Sequence, residues 1–225
     1  MTFSAPDSAI ARARKIKILL FDVDGVWTDG SIWLVPGHPA VDGGVRDEIR
    51  EAHSNDIGFG VQSETLVEVK GYSAHDGMGI SLARMAGLKC GVITKRISET
   101  VATRARDLKI EYVYQGQAFK MKPVAEICAQ AQVTLDEIAY VGDDIIDLPV
   151  MRKVGLAIAV ANARERVKAE AHYVTPNRGG HGAARDAIEF ILEAKGILYR
   201  CIESYLDENT SIAASVDIGR DEDLK

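Results

Sequence analysis

The chain has 225 residues, 47% of them hydrophobic, and a formal charge of -6. That length and apolar content allow one sizeable core, alone or with a small accessory element, and predict one main domain. The acidic balance gives no basic footprint for nucleic acid or an anionic membrane surface. The absence of a run of about 18 apolar residues and of a secretory leader argues for a soluble, cytoplasmic protein.

An anionic substrate is not excluded, because a few local cations and one metal ion can reverse the field inside a cleft. The three cysteines, Cys90, Cys128 and Cys201, are odd in number and widely spaced. This argues against a disulfide framework or a zinc site and leaves them as packing residues.

In chain order, Lys17-Ile18-Leu19-Leu20-Phe21 is a short apolar run stopped by Asp22 and Gly25, as expected of a buried strand ending in a loop. Ser31 to Val35 and Thr65 to Val69 can pair as an antiparallel hairpin. The connection between them, residues 36–64, is rich in glycine and proline and reads as a long loop with a helical turn.

Further apolar runs at 90–94, 112–114, 138–141 and 156–160 alternate with stretches of helical period at 77–87, 98–109, 119–132 and 145–153. The alternation predicts an α/β fold with a doubly wound, mainly parallel sheet. Thr134 with Glu137 fits a capping box opening a short turn before the strand at 138–141. An amphipathic helix is expected near 182–195. Residues 207–225, with six acids against two bases, read as a disordered tail. The expected organisation is one domain over residues 1–206, with the hairpin and its long loop at 29–72.

Four separated pieces each fall where a strand ends: Asp22-Val23-Asp24-Gly25, Thr94-Lys95-Arg96, Lys120 or Lys122, and Gly142-Asp143-Asp144 with Asp147. In an open α/β sheet the carboxyl ends of the strands line one crevice, so these pieces can converge. Aspartates with Thr, Lys and Arg supply oxygen ligands for magnesium and donors for a phosphate, which phosphoryl transfer needs.

Each piece also has an ordinary reading. Asp22 and Asp24 could form turns or helix caps, the lysines could be solvated helix charges, Thr94 could cap a helix, and Arg96 could pair with a surface carboxylate. An EF-hand calcium loop is excluded, because the sixth position counted from Asp22 is Trp27 rather than Gly. His75 and His181 have no metal-ligand spacing and receive no catalytic role.

Together, Phe21-Asp22-Val23-Asp24-Gly25-Val26 with Thr28-Asp29-Gly30, Thr94, Lys120, and Gly142-Asp143-Asp144 with Asp147 resemble the haloacid dehalogenase superfamily of phosphatases. Asp76-Gly77-Met78-Gly79-Ile80, Gln115-Gly116, Gly142 to Pro149 and Gly179 to Arg185 extend the likeness to its cap-less members acting on 3-deoxy-D-manno-octulosonate 8-phosphate (Kdo 8-phosphate).

The resemblance covers roughly residues 16–36 and 65–198. Two features depart from it: Lys95 stands where the family usually has Gly, and the hairpin connection is longer.

The resemblance implies a Rossmann-like, cap-less domain with a hairpin that commonly builds a homotetramer, here through residues near 29–35 and 65–72. It implies magnesium held by Asp22, Asp143 and the Asp24 backbone carbonyl. Asp22 would be the nucleophile of an aspartyl-phosphate mechanism and Asp24 the acid and base. Thr94 and a backbone amide, at Gly25, would hold the phosphoryl oxygens. Lys120, four residues after Gly116, would offset charge, with Lys122 as the competing candidate.

Asp144 and Asp147 would orient the ligands, and Arg96 would reach the sugar acid's carboxylate. The expected reaction is hydrolysis of Kdo 8-phosphate, a step of lipopolysaccharide precursor synthesis. The alternatives are a nonulosonate 9-phosphate phosphatase, a sugar-phosphate mutase, or a non-catalytic binding module.

Overall fold

Strand β1 (Ile18–Phe21) is buried at every residue, because a parallel neighbour lies on each side and helices cover the sheet. The structure, a computed structural model, describes residues 6–36 and 66–207. Helix α1 (Asp7–Ala13) leads into β1, and a hairpin of β2 (Trp33–Pro36) and β3 (Leu66–Val69) follows. The chain continues through α2 (Ala74–Met85), β4 (Lys89–Ile93), α3 (Glu99–Asp107), β5 (Tyr112–Tyr114), α4 (Met121–Ala131), β6 (Ile138–Gly142) and α5 (Leu148–Met151). It ends with β7 (Leu156–Ala159), α6 (Glu165–Lys168), β8 (Tyr173–Val174), α7 (Ala183–Ala194) and α8 (Leu198–Leu206).

Six strands form one sheet in the order β5-β4-β1-β6-β7-β8, and all of its pairings are parallel. From β1 the chain winds outward to β4 and β5, then returns to the other side of β1 to build β6, β7 and β8. That reversal is the topological switch point, and a crevice opens beyond the carboxyl ends of β1, β4 and β6.

The expected parallel α/β sheet and antiparallel hairpin are both present. Several elements escaped the sequence reading. Helix α1 buries only the small Ala9 and Ala13, α6 has four residues, and β8 has two. None of the three is long or apolar enough to show a clear period. The stretch expected as helix at 145–153 contains only the four residues of α5, since residues 143–147 form the loop that carries the aspartates. The long connection expected at 36–64 and the acidic tail expected at 207–225 lie, apart from their first residues, outside the described residues.

Two motifs far apart in sequence are explained by one packing contact. Helices α2 and α7 lie against each other. A Cβ on Gly79 would come within 2.9 Å of the Arg185 Cα, so this close approach needs glycine. Buried Asp76 accepts hydrogen bonds from the Gly182 amide at 3.3 Å and the Arg185 amide at 2.9 Å, capping the start of α7. The capping box is present as expected, with the Thr134 amide donating to Glu137 at 3.0 Å.

Candidate active site

The parallel register sets Phe21 beside Val92 and Val141. Asp22, Thr94 and Asp143 each lie just beyond one of these three strands, and Lys120 stands at the start of α4. The expected residues therefore share one crevice because three neighbouring strands end level.

At its centre is a buried charge cluster. The Lys120 ammonium lies 2.7 Å from Asp22 Oδ1 and 2.8 Å from Asp147 Oδ1. Lys120 is 3% exposed, whereas Lys122 is exposed on the outer side of α4. Burial pushes the Lys120 ammonium down, but the charges of Asp22 and Asp147 outweigh this and raise it above the ordinary lysine value.

Asp147 is completely buried, and four donors meet on it. Lys120 and the Tyr140 hydroxyl reach Oδ1 at 2.8 Å, and the amides of Asp143 and Asp144 reach Oδ2 at 3.0 and 3.3 Å. Its oxygens are occupied in shaping the loop. Asp144 is exposed, and its carboxylate accepts from the Ile145 amide at 2.7 Å.

Carboxylate oxygens of Asp22, Asp143 and Asp147 lie within 4.8 Å of one another. Burial raises Asp22 to about 7, opposed by Lys120 and assisted by the charge of Asp147. Burial and the charges of Asp22 and Asp147 raise Asp143 to about 8. Such mutual destabilisation is what a hard divalent cation relieves. Since Asp147 is committed to its four donors, Asp22 and Asp143 have the carboxylates fitted to hold one.

Gly25 has φ +92°, and a Cβ there would fall 2.2 Å from Asp143 Oδ2. Only glycine can pass at this point. Thr28 folds the same loop, its hydroxyl donating to the Val23 carbonyl at 3.4 Å and accepting from the Gly30 amide at 3.2 Å. Asn162 braces it from β7's side, donating to the Gly25 carbonyl at 3.0 Å and accepting from the Gly179 amide at 2.6 Å. Thr94 is buried, and its hydroxyl accepts from the Arg96 amide at 3.2 Å.

Asp24 and Arg96 belong to a second cluster, of which the sequence reading saw only half. The Asp24 carboxylate is paired with the buried Lys70, and Lys70 also lies 3.3 Å from Glu68 Oε1. Arg96 is paired with Glu68 Oε2, and its Nε is 3.9 Å from Asp24 Oδ2. Glu68, on β3, and Lys70, the residue just past its end, stand two apart in an otherwise apolar run, so extended backbone sets both on one side. That charged pair on a single face was the available signal. Tyr140 and Asn162 carried no comparable mark.

Fold and crevice together define a class, the haloacid dehalogenase-like hydrolases, and the model of that family matches residues 90–185. The 3-deoxy-D-manno-octulosonate 8-phosphate phosphatase of Yersinia pestis is 36% identical over 189 residues, covering 84% of this chain and 86% of that protein. Its counterpart from Escherichia coli K12 is 35% identical over the same shares. The Moraxella catarrhalis phosphatase of that name, solved with a magnesium ion, a phosphate ion and a KDO molecule, has a TM-score of 0.73 at 29% identity. The likeness covers 88% of this chain and 98% of that one. The chain belongs to the 3-deoxy-D-manno-octulosonate 8-phosphate phosphatase family.

Proposed function

We propose that this protein is a magnesium-dependent phosphomonoesterase that hydrolyses Kdo 8-phosphate to Kdo and inorganic phosphate through an aspartyl-phosphate on Asp22. The observation that carries the reading is the meeting of Asp22, Lys120 and Asp143 at the switch point of the sheet. Relatives that cover most of the chain and bear this activity in their names support the choice of substrate.

Asp22, Asp143 and the Asp24 carbonyl would hold magnesium, whose positive charge would lower the repulsion between phosphate ester and carboxylate. Asp22 attacks phosphorus and the ester P–O bond breaks. The Asp24 carboxyl gives its proton to the departing sugar oxygen. Asp24 then takes a proton from water, which attacks the phosphorus and releases phosphate as the bond to Asp22 breaks. Lys120 neutralises Asp22 and the transferred group, while Thr94 and the Gly25 amide hold the phosphoryl oxygens. Asp147 fixes Lys120 and the Asp143 loop, and Asp144 helps to shape that loop. Arg96, oriented by Glu68, receives the sugar acid's carboxylate.

The same proposal includes a homotetramer joined through the hairpin and a cytoplasmic site of action. The exposed apolar hairpin supports the first, and no helix among the described residues is long and apolar enough to cross a membrane. Phosphate release from a small panel of sugar phosphates with magnesium tests the reaction, with Kdo 8-phosphate expected to be turned over fastest. Asp22→Asn should lower turnover by at least about 10⁴-fold while leaving the circular dichroism spectrum unchanged. Wild-type release from that variant would rule out the covalent route.

A further inference from the structure

Asp22 and Asp24, two of the three aspartates in the loop after β1, each have a lysine of their own. Asp22 is paired with Lys120, which comes from the main sheet's crossover into α4. Asp24 is paired with Lys70, which comes from the end of the hairpin. We propose that Lys70 is a positioning residue for Asp24, holding one carboxylate oxygen so that the other is presented to the leaving group. The proposal rests on the reading of Asp24 as acid and base.

The Lys70 side chain has no exposure, an environment that lysine occupies only when its charge is matched. Asp24 and Glu68 supply that match, and Glu68 also holds Arg96. With Asp24 ionised, two cations face two anions and the cluster is neutral; in the acid form of Asp24 it carries one positive charge, which favours transfer of the proton to the leaving group.

Lys70 takes Asp24 Oδ1. Among the described residues Oδ2 is left as the oxygen able to carry the proton, since Arg96 Nε lies 3.9 Å from it, beyond hydrogen-bonding distance. The same ammonium touches the carboxylate that orients Arg96. One side chain from the hairpin thus sets both the proton donor and the clamp for the substrate's acid group. A lysine acting only as a structural counter-ion would not favour one kind of leaving group over another.

That difference is the basis of the test. In the first half-reaction the ester oxygen leaves with the proton of Asp24, and an alkoxide needs it far more than a nitrophenolate does. The ratio kcat/KM covers steps only through departure of that group, so hydrolysis of the aspartyl-phosphate does not enter. Substrates without a carboxylate remove the contribution of Arg96. The experiment measures kcat/KM with magnesium on p-nitrophenyl phosphate, phenyl phosphate and a simple alkyl phosphate, for wild type, Lys70→Met, Lys70→Arg and Asp24→Asn.

We expect Lys70→Met to lose about 10- to 100-fold on the alkyl ester and less than about 3-fold on p-nitrophenyl phosphate, with phenyl phosphate between them. Lys70→Arg, which keeps the charge and guards against a folding failure, should show the same order with smaller losses. Equal losses on all three esters in both Lys70 variants, while Asp24→Asn still discriminates among them, would overturn the role of Lys70. Even losses in Asp24→Asn would instead overturn the acid role of Asp24 itself.

Discussion

Asp22, Asp143 and Asp147 carry the same side chain within a few ångströms, yet their surroundings separate their roles. Asp147 accepts from four donors and is spent on structure, whereas Asp22 takes both Lys120 and the Val23 amide, each at 2.7 Å, on the same oxygen, Oδ1. Arg96 shows the same dependence on neighbours. A guanidinium already aligned by Glu68 loses less rotamer freedom when it takes a second carboxylate. If it binds the acid group of Kdo 8-phosphate, Arg96→Ala should cost about 2–4 kcal/mol in kcat/KM on that ester. A neutral sugar phosphate should show almost no penalty. Steady-state kinetics on both esters is the check, and equal losses would assign Arg96 to the phosphate or to structure.

At the scale of elements, the hairpin does two unlike things with its two faces. Cross-strand partners share a face, so Trp33 with Val69 and Val35 with Val67 form one side, and Leu34 with Glu68 lies on the other. Glu68 turns towards Lys70 and Arg96, while its partner Leu34 is 51% exposed and, on the other face, Trp33 is 63% and Val69 42% exposed. An isolated two-stranded hairpin with such a surface is marginal in water, which favours burial against other subunits. If the proposed tetramer forms through this face, Trp33→Asp should shift it towards smaller species in sedimentation velocity. An unchanged sedimentation coefficient would remove this face from the subunit contact.

For the whole molecule, the site makes folding depend on pH and on metal. Asp22 and Asp143 titrate ordinarily near 3.8 and are raised to about 7 and about 8 in the fold. Their protonated forms are thus favoured by folding, so their contribution is fully present below the unfolded value and is lost as pH rises through the folded values. Without magnesium the melting temperature should fall between about pH 5 and pH 8.5, by at least about 4 °C. Magnesium should raise it more at the higher pH, where both carboxylates are charged. Differential scanning calorimetry in both conditions tests this, and a flat profile without metal would contradict it.

The sequence by itself determined the alternation of strands and helices, because buried parallel strands must be short apolar runs and their loops must stop them. It also marked the candidate site: Asp22, Thr94 and Asp143 are polar residues where such runs break, and Lys120 stands at the start of the helix after β5. The tertiary structure decided which residues are partners. Lys120 rather than Lys122 meets Asp22 because the helix start aims one lysine inward and the next outward. Asp147 became a structural hub only through Tyr140 and two amides brought together by the turn. Lys70 and Glu68 join the site only because the fold sets the end of the hairpin beside Asp24 and Arg96. A pairing between residues 46 apart, such as Lys70 with Asp24, leaves no period or motif in the chain, since charge complementarity acts through space.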